Sequence, residues 1–487
     1  MSGKEKGMDD RDTQIRVRIA PSPTGYLHVG TARTALFNYL FARTKRGAFL
    51  LRIEDTDLKR SREEMVGSII EGLKWMKLNW DEDIIYQSDY FDDYRKKAIE
   101  LLDKGLAYWC YCTPDEIEER RKKALKAEGG WIYDRRCHNL SKQEMEKFER
   151  EGRPKALRFF IPPEYTVCQD LIHGEIKREN SEIEDFVLIK SDGAPTYNFA
   201  VVLDDHRMRI THVLRGDDHI TNTPKQILLY KAFGFELPQF GHVPLILGKD
   251  HSKLSKRHGA VSLSYYKDEG FLPEAFVNYL AFLGWSPKTE KEIFSIDELI
   301  DSFAIENIHK TPAIFDIERL EWINREWMNR LGIKEVASRL EEYLKGSGII
   351  VDNREYLENI VEAMGNRPKK LKHFIEYGQY FFTDDFSYDE EGAQKYFYPD
   401  LEDRIKVLLK YIRDLEPFTK DAIENVFREI SEKLECKAAE LIHPVRLGVS
   451  GMRVGPGLFK LIEVLGKESV IKRLEKLVEY LGGVEFE

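Results

Sequence analysis

At 487 residues the chain is too long for one hydrophobic core and long enough for two to four domains. Its 42% hydrophobic and 33% charged residues exclude a disordered chain, and no run of about 18 apolar residues offers a membrane span. The net charge of −10 excludes a chain coated in basic surface, but not a local basic groove on an acidic body.

The segment Met1 to Gln14 is charged and lacks the apolar stretch of a secretory leader, and five cysteines make no disulfide framework. A reducing, cytoplasmic setting is therefore expected. Ile15, Val17 and Ile19 alternate with Arg16 and Arg18, which predicts a half-buried strand. Pro21, Pro23 and Gly25 interrupt regular structure, and Ala32, Ala35, Leu36, Tyr39 and Leu40 then follow helical spacing up to Gly47. Ala48 to Ile53 reads as a second buried strand, so the opening is a βαβ unit and a parallel, nucleotide-binding sheet is expected. Further buried strands are expected at Phe186–Ile189, Tyr197–Leu203, Thr211–Leu214 and Val243–Leu247. Residues 109–180 carry three cysteines, a charged helical stretch and Pro162-Pro163, the pattern of an insertion between two halves of one sheet. Beyond about residue 330 strand signals fade, and amphipathic stretches such as Val470 to Leu481 predict an all-helical end.

Two short motifs point to phosphate chemistry. Arg18-Ile19-Ala20-Pro21-Ser22-Pro23-Thr24-Gly25-Tyr26-Leu27-His28-Val29-Gly30-Thr31 lies between a strand and a helix start, where free N–H groups and the helix dipole hold anions. His28 can donate to a phosphate oxygen, and Gly30 lets a ligand approach the backbone. Lys253-Leu254-Ser255-Lys256-Arg257 puts two lysines and a serine on one loop, suited to a triphosphate whose charge grows during transfer. Alone, the first would also read as a rigid Pro/Gly connection and the second as a solvated basic turn.

Together and in this order they resemble the two signatures of class I aminoacyl-tRNA synthetases, here His28-Val29-Gly30-Thr31 and Lys253 to Arg257. Arg52-Ile53-Glu54-Asp55-Thr56-Asp57, Asp192-Gly193-Ala194-Pro195-Thr196-Tyr197, Phe315-Asp316, Trp322-Ile323-Asn324 and Gly455-Pro456-Gly457-Leu458-Phe459 resemble bacterial glutamyl-tRNA synthetases, from about residue 15 to the end. The resemblance implies a Rossmann-type α/β catalytic domain with an inserted α+β acceptor-binding domain, followed by all-α anticodon-binding domains. The expected boundaries are 1–108 and 191–250 for the two catalytic halves, and 109–190 for the insertion. A stem-contact region follows at 251–330, then helical anticodon domains at 331–385 and 386–487.

The resemblance further implies that the α-carboxylate of L-glutamate attacks the α-phosphate of ATP, and that the glutamyl group then passes to tRNA-Glu. The nucleophile belongs to the substrate, so catalysis is positioning and charge stabilisation by His28, Lys253 and Lys256. Mg²⁺ would be held mainly by ATP itself. A side-chain carboxylate calls for guanidinium groups, and the family positions are Arg18 and Arg215 with Tyr197. Ser22 and Glu54 match the acceptors of the substrate amino group. Ala20, His28, Gly30, Asp218, Leu245, Ile246, Lys253 and Lys256 match ATP contacts, and Asp218 and His219 follow Arg215 where the family contacts ATP and amino acid. Val201 stands where some members place an asparagine, so one polar contact to substrate is expected to be missing or supplied elsewhere.

Cys110, Cys112 and Cys137 with His138 could form a tetrahedral structural Zn²⁺ site. Relatives place the fourth ligand two residues after the third cysteine, here Asn139, so Tyr133 is a second candidate and three metal-free thiols a third reading. Residues 331–487 hold 24 basic and 30 acidic residues, a net of −6, so RNA contact would rest on patches such as Arg367-Pro368-Lys369-Lys370 and Arg446 to Arg453. Around Met364 to Leu371, either Arg367 reads the third anticodon base or Gly365 takes its place. The second alignment implies relaxed recognition that includes tRNA-Gln, with a partner tRNA-dependent amidotransferase. A monomer with no membrane association is expected. The alternatives are a glutaminyl-tRNA synthetase, whose C-terminal part is built of β-barrels, and a small-molecule nucleotidyltransferase with the same phosphate loop.

Overall fold

Arg16 and Arg18 are buried, at 7% and 3% exposure, on a strand whose alternation predicts one wet face. The computed structural model describes residues 14–57, 60–126, 131–254 and 262–483. It shows why the strand has no wet face: it lies inside a parallel sheet covered on both sides, where alternation ceases to report exposure. In chain order the strands are β1 (Arg16–Ile19), β2 (Ala48–Ile53), β3 (Ile85–Tyr86), β4 (Ala107–Cys110), β5 (Ala156–Phe159), β6 (Tyr165–Asp170), β7 (Gly174–Glu179), β8 (Val187–Ile189), β9 (His212–Gly216), β10 (Gln239–Val243), β11 (Ile246–Leu247) and β12 (Ala313–Ile314).

β2 pairs in parallel with β1 and with β3, and β10 pairs in parallel with β9 and with β6. The two groups meet where the Thr211 N–H donates to the Arg16 carbonyl at 3.0 Å, and the Arg16 N–H donates to Thr211 Oγ1 at 2.9 Å. The crossover from β1 to β2 is the helix Val29–Thr44, closed by a turn at Gly47. A Cβ at Gly47 would lie 2.3 Å from the Ile15 carbonyl oxygen, so only glycine lets the chain re-enter the sheet there.

Between β3 and β9 the chain adds an antiparallel sheet, β4–β5–β8, and the β6–β7 hairpin, whose first strand joins β10. Residues Tyr197–Leu203 depart from expectation. They form the helix Tyr197–Arg207, with Phe199 to Asp205 buried. A short, wholly apolar run has the same pattern in a buried helix as in a buried strand, and here the length beyond Leu203 decides for the helix. Val243–Leu247 also divides, into the end of β10 and the start of β11 around Pro244, which cannot donate to a ladder.

The chain divides into two compact units, Met1–Tyr266 with Phe276–Ile317, and Lys267–Ala275 with Glu318–Glu487. The described residues of the second unit are helical and contain no strand. Leu401–Asp414 buries Leu401, Ile405, Leu408 and Ile412, and Lys467–Gly482 buries Val470, Leu474, Leu477 and Leu481, both at one-turn spacing. The helical stretch Ile317–Gly346 breaks at Gly332, whose φ of 78° is a left-handed conformation that glycine adopts freely. Among the described residues no helix is long and apolar enough to cross a membrane.

Candidate active site

The C-terminal ends of β1, β2 and β9, with the start of β11, open on a cavity of about 680 Å³ in the first unit. Such crevices at strand ends are where parallel sheets bind ligands, and the volume suits a small substrate with a nucleotide. Its wall contains Arg18, Ala20, Ser22, His28, Gly30, Glu54, Tyr197, Arg215, Asp218, Leu245, Ile246 and Lys253. These residues come from segments up to 235 positions apart in a 487-residue chain, and the fold brings them to one place. Lys256 and Ser255 lie outside the described residues.

One part of the wall is built for anions. His28 is the extended N-cap of the helix Val29–Thr44, its Nδ1 accepting from the Thr31 N–H at 3.3 Å. Its Nε2 lies 2.9 Å from Thr31 Oγ1. Gly30 and Thr31 line the cavity beside it, so the helix start is presented to a ligand. A Cβ at Gly30 would lie 3.3 Å from the His28 ring, which makes the glycine part of the seat of the imidazole. Desolvation, and then the Lys253 ammonium, push the His28 pKa below its ordinary value. Lys253 returns antiparallel to Leu247 in a short hairpin, and its Nζ sits 3.2 Å from Asp218 Oδ2.

Another part is built for a carboxylate. Arg215 is 5% exposed, on β9. Its Nε donates to His242 Nε2 at 3.2 Å, Nη1 to Gln226 Oε1 at 2.8 Å and Nη2 to Thr223 Oγ1 at 2.7 Å. Burial pushes its pKa down, which marks a cation short of counter-charge. The Tyr197 hydroxyl lies 3.1 Å from His219 Nδ1, and burial, then the Arg215 charge, hold His219 down at about 4. Glu54 accepts from Arg52 Nη2 at 3.0 Å, yet burial lifts its carboxyl above the ordinary range. Ser22 is exposed at the rim. Val201, on the core-facing side of the helix Tyr197–Arg207, is buried and does not line the cavity.

Sequence reasoning missed the frame under these groups. Asp205 takes two bonds from Arg18 and one from Arg52 at 2.6 Å, all out of solvent. It also missed Arg33, a buried cavity residue held by the carbonyls of Leu283 and Pro244, whose pKa burial lowers to about 10. Arg33 sits in an apolar helix register, and a lone cation there was the available signal.

In the insertion the Cys110, Cys112 and Cys137 thiols converge within 4.8 Å of one another. The Tyr133 hydroxyl lies 3.2 Å from Cys110 Sγ and 3.5 Å from Cys112 Sγ. His138 is not brought to them: its ring stacks on Phe160 at 4.6 Å and meets Tyr108 edge-on at 5.0 Å. As the residue adjacent to Cys137 in a 3-10 turn, it is carried onto this aromatic face. The three thiols match the cysteine part of a closed zinc site, and the phenol oxygen would bring the count to four. Arg120 Nη2 donates to Cys112 Sγ at 3.0 Å.

In the second unit the basic patches are largely paired. Lys369 meets Glu321 at 2.8 Å, Lys370 and Lys372 share Glu269, and Arg453 meets Asp389 at 2.7 Å. Arg367 and Gly365 are both exposed. Burial raises the Tyr380 pKa to about 12 against the opposing charges of Arg446 and Arg367, and among the described residues its hydroxyl has no hydrogen-bond partner.

Comparison with known proteins places this geometry in context. Residues 14–322 match the catalytic domain of class I tRNA synthetases (E and Q), and residues 335–478 match an anticodon binding domain. The chain is 44% identical over 473 residues to glutamate–tRNA ligase 2 of Thermoanaerobacter pseudethanolicus, spanning 96% of this chain and 99% of that protein. It is 45% identical over 471 residues to the glutamate–tRNA ligase of Citrifermentans bemidjiense, spanning 96% and 100%. The crystal structure of a glutamate tRNA ligase from Elizabethkingia meningosepticum in complex with its amino acid superposes with a TM-score of 0.85 at 32% identity, covering 96% of this chain and all of that one.

Proposed function

Because the chain belongs to the glutamate–tRNA ligases of the class I tRNA synthetases, we propose that it activates L-glutamate with ATP and transfers the glutamyl group to the 3′ end of tRNA-Glu. The observation that carries this reading is the single cavity joining a buried, carboxylate-seeking Arg215 to the anion-seeking start of the helix Val29–Thr44.

The side-chain carboxylate of glutamate would meet Arg215, Arg18 and Tyr197. Its amino group would meet Glu54 and Ser22, and its α-carboxylate would face the nucleotide. His28, Lys253 and Lys256 would stabilise phosphate charge as pyrophosphate leaves, with the adenine side of ATP near Leu245 and Ile246. Asp218 holds Lys253 until the triphosphate competes for it. Mg²⁺ would arrive with ATP and neutralise the phosphates. The residues fit Zn²⁺ through Cys110, Cys112, Cys137 and Tyr133, and the ion would hold the insertion's fold. The insertion, residues 109–190, would bind the acceptor stem, and residues 331–385 and 386–487 would read the anticodon. The protein would act as a cytoplasmic monomer.

A glutaminyl-tRNA synthetase with β-barrels after the catalytic domain is disfavoured by the helical second unit, and a small-molecule nucleotidyltransferase would not need that unit. Relaxed tRNA choice is the finer proposal: Gly365 stands where a discriminating arginine would, and tRNA-Gln is glutamylated for a partner amidotransferase. Charging of tRNA-Gln transcript within about tenfold of tRNA-Glu, a gap of roughly 1.4 kcal/mol, supports it. A thousandfold preference for tRNA-Glu overturns it and assigns base reading to Arg367. For the main reading, ATP–pyrophosphate exchange should require glutamate together with tRNA-Glu. Exchange supported equally by other amino acids would contradict it.

A further inference from the structure

Three neighbouring strands of the second sheet half, β6, β10 and β9, bring Asp170, His242 and Arg215 together. In register, His242 on β10 stands opposite Arg215 on β9, and Phe240 of β10 opposite Asp170 on β6. His242 is 0% exposed and Asp170 5%. His242 Nδ1 lies 2.6 Å from Asp170 Oδ2, and Asp170 Oδ1 accepts the N–H groups of Ile172 and His173, each at 2.9 Å.

The hydrogen-bond chemistry of this group assigns the protons of the His242 ring. A guanidinium has donors only, so His242 Nε2, which receives Arg215 Nε–H at 3.2 Å, must present its lone pair. The ring is then neutral with its proton on Nδ1, donated to Asp170, whose carboxylate is held ionised by two backbone donors. Thr223 closes the frame: its Oγ1 accepts Arg215 Nη2 at 2.7 Å and lies 2.9 Å from His242 Nε2. With Gln226 on Nη1, three of the five N–H groups of Arg215 are committed to this frame. The two that remain, one on each Nη, are available to Tyr197 and to the cavity that both residues line.

We propose that His242, its tautomer set by Asp170, is a positioning residue for amino-acid selection that fixes the plane of the Arg215 guanidinium facing the substrate carboxylate. A planar, bidentate contact depends on orientation, so an arginine free to rotate about its last torsions would bind the carboxylate less well. His242 does not line the cavity, and its effect reaches the substrate only through Arg215. The inference rests on the reading of Arg215 as the carboxylate clamp.

The test is steady-state aminoacylation of tRNA-Glu by full-length His242→Phe, His242→Gln, Thr223→Val and Arg215→Ala, with KM measured for glutamate and for ATP. His242→Phe keeps the ring volume and removes the acceptor. Its glutamate KM should rise about tenfold or more, with ATP KM within about twofold. His242→Gln carries both an acceptor for Arg215 and a donor for Asp170, and should restore glutamate KM to within about threefold of the parent. Thr223→Val, nearly isosteric, should raise glutamate KM selectively by about threefold or more, and it decides the matter should His242→Phe fail to fold. Equal rises in both KM values, an unchanged glutamate KM in folded His242→Phe or, in its place, in Thr223→Val, or a glutamine variant as impaired as the phenylalanine one overturns the inference. Arg215→Ala separates the two levels. If it leaves glutamate KM unchanged, the clamp reading falls and takes this inference with it. If it raises glutamate KM while His242→Phe does not, only the positioning role falls.

Discussion

Arg18 gives two N–H groups to Asp205, Nε at 3.0 Å and Nη2 at 3.1 Å, with both side chains at most 4% exposed. The same carboxylate accepts Arg52 Nη1 at 2.6 Å. One buried anion therefore orients Arg18 in the cavity wall and Arg52 behind it. Asp205→Asn would leave two buried guanidinium groups short of one counter-charge. Breaking a buried pair by removing one partner costs about 3–5 kcal/mol. The variant should melt on the order of 10 °C lower by circular dichroism and require more glutamate. An unchanged melting temperature would show the Asp205 charge to be dispensable.

At the phosphate end, Gly30→Ala brings a methyl to 3.3 Å from the His28 ring. The imidazole must give way while the helix stays intact. Glutamate-dependent pyrophosphate exchange should fall by about 10²-fold, the scale of losing one well-placed donor to transition-state charge. Exchange within twofold of the parent, at unchanged helicity, would remove His28 from that role.

The cysteine cluster separates Tyr133 from His138. Purified protein should carry one zinc per chain by elemental analysis. Tyr133→Phe should weaken zinc retention under chelator by about 10–100-fold, while His138→Ala should leave it unchanged. The reverse pattern would restore His138 as the fourth ligand, and metal-free protein of full stability would leave three plain thiols.

His219 supplies a pH dependence whose sign can be worked out. Its folded pKa, about 4, lies below the unfolded value of 6.5. Between these values the unfolded chain binds the proton and the folded one does not, so stability falls as pH drops from 6.5 towards 4 and is independent of His219 above 6.5. His219→Gln should flatten the decline of melting temperature over that window. A decline as steep as the parent's would assign the effect to other groups.

Much of the cavity wall was legible in the sequence, because its charged and polar residues sit in short motifs whose residue types state their chemistry. Arg18, His28, Glu54, Arg215 and Lys253 are of this kind. Their supports were not legible. Asp205 lies 187 positions from Arg18, and nothing local in Leu203-Asp204-Asp205 tells which aspartate faces the cavity floor. The strand predicted at Tyr197–Leu203 proved a helix because a buried apolar run loses its periodicity. Spacing from Cys137 pointed to Asn139 and left His138 and Tyr133 as candidates, and the fold puts the Tyr133 hydroxyl beside the thiols and the His138 ring on Phe160.

The most direct test of the account is aminoacylation of purified tRNA-Glu with radiolabelled glutamate and, separately, glutamine. The account predicts glutamyl-tRNA-Glu formation with glutamate favoured in kcat/KM by about 10⁴-fold or more, since a buried arginine clamp facing a neutral amide is left unpaired. Efficient glutaminylation, or no charging with either amino acid by folded protein, would contradict it.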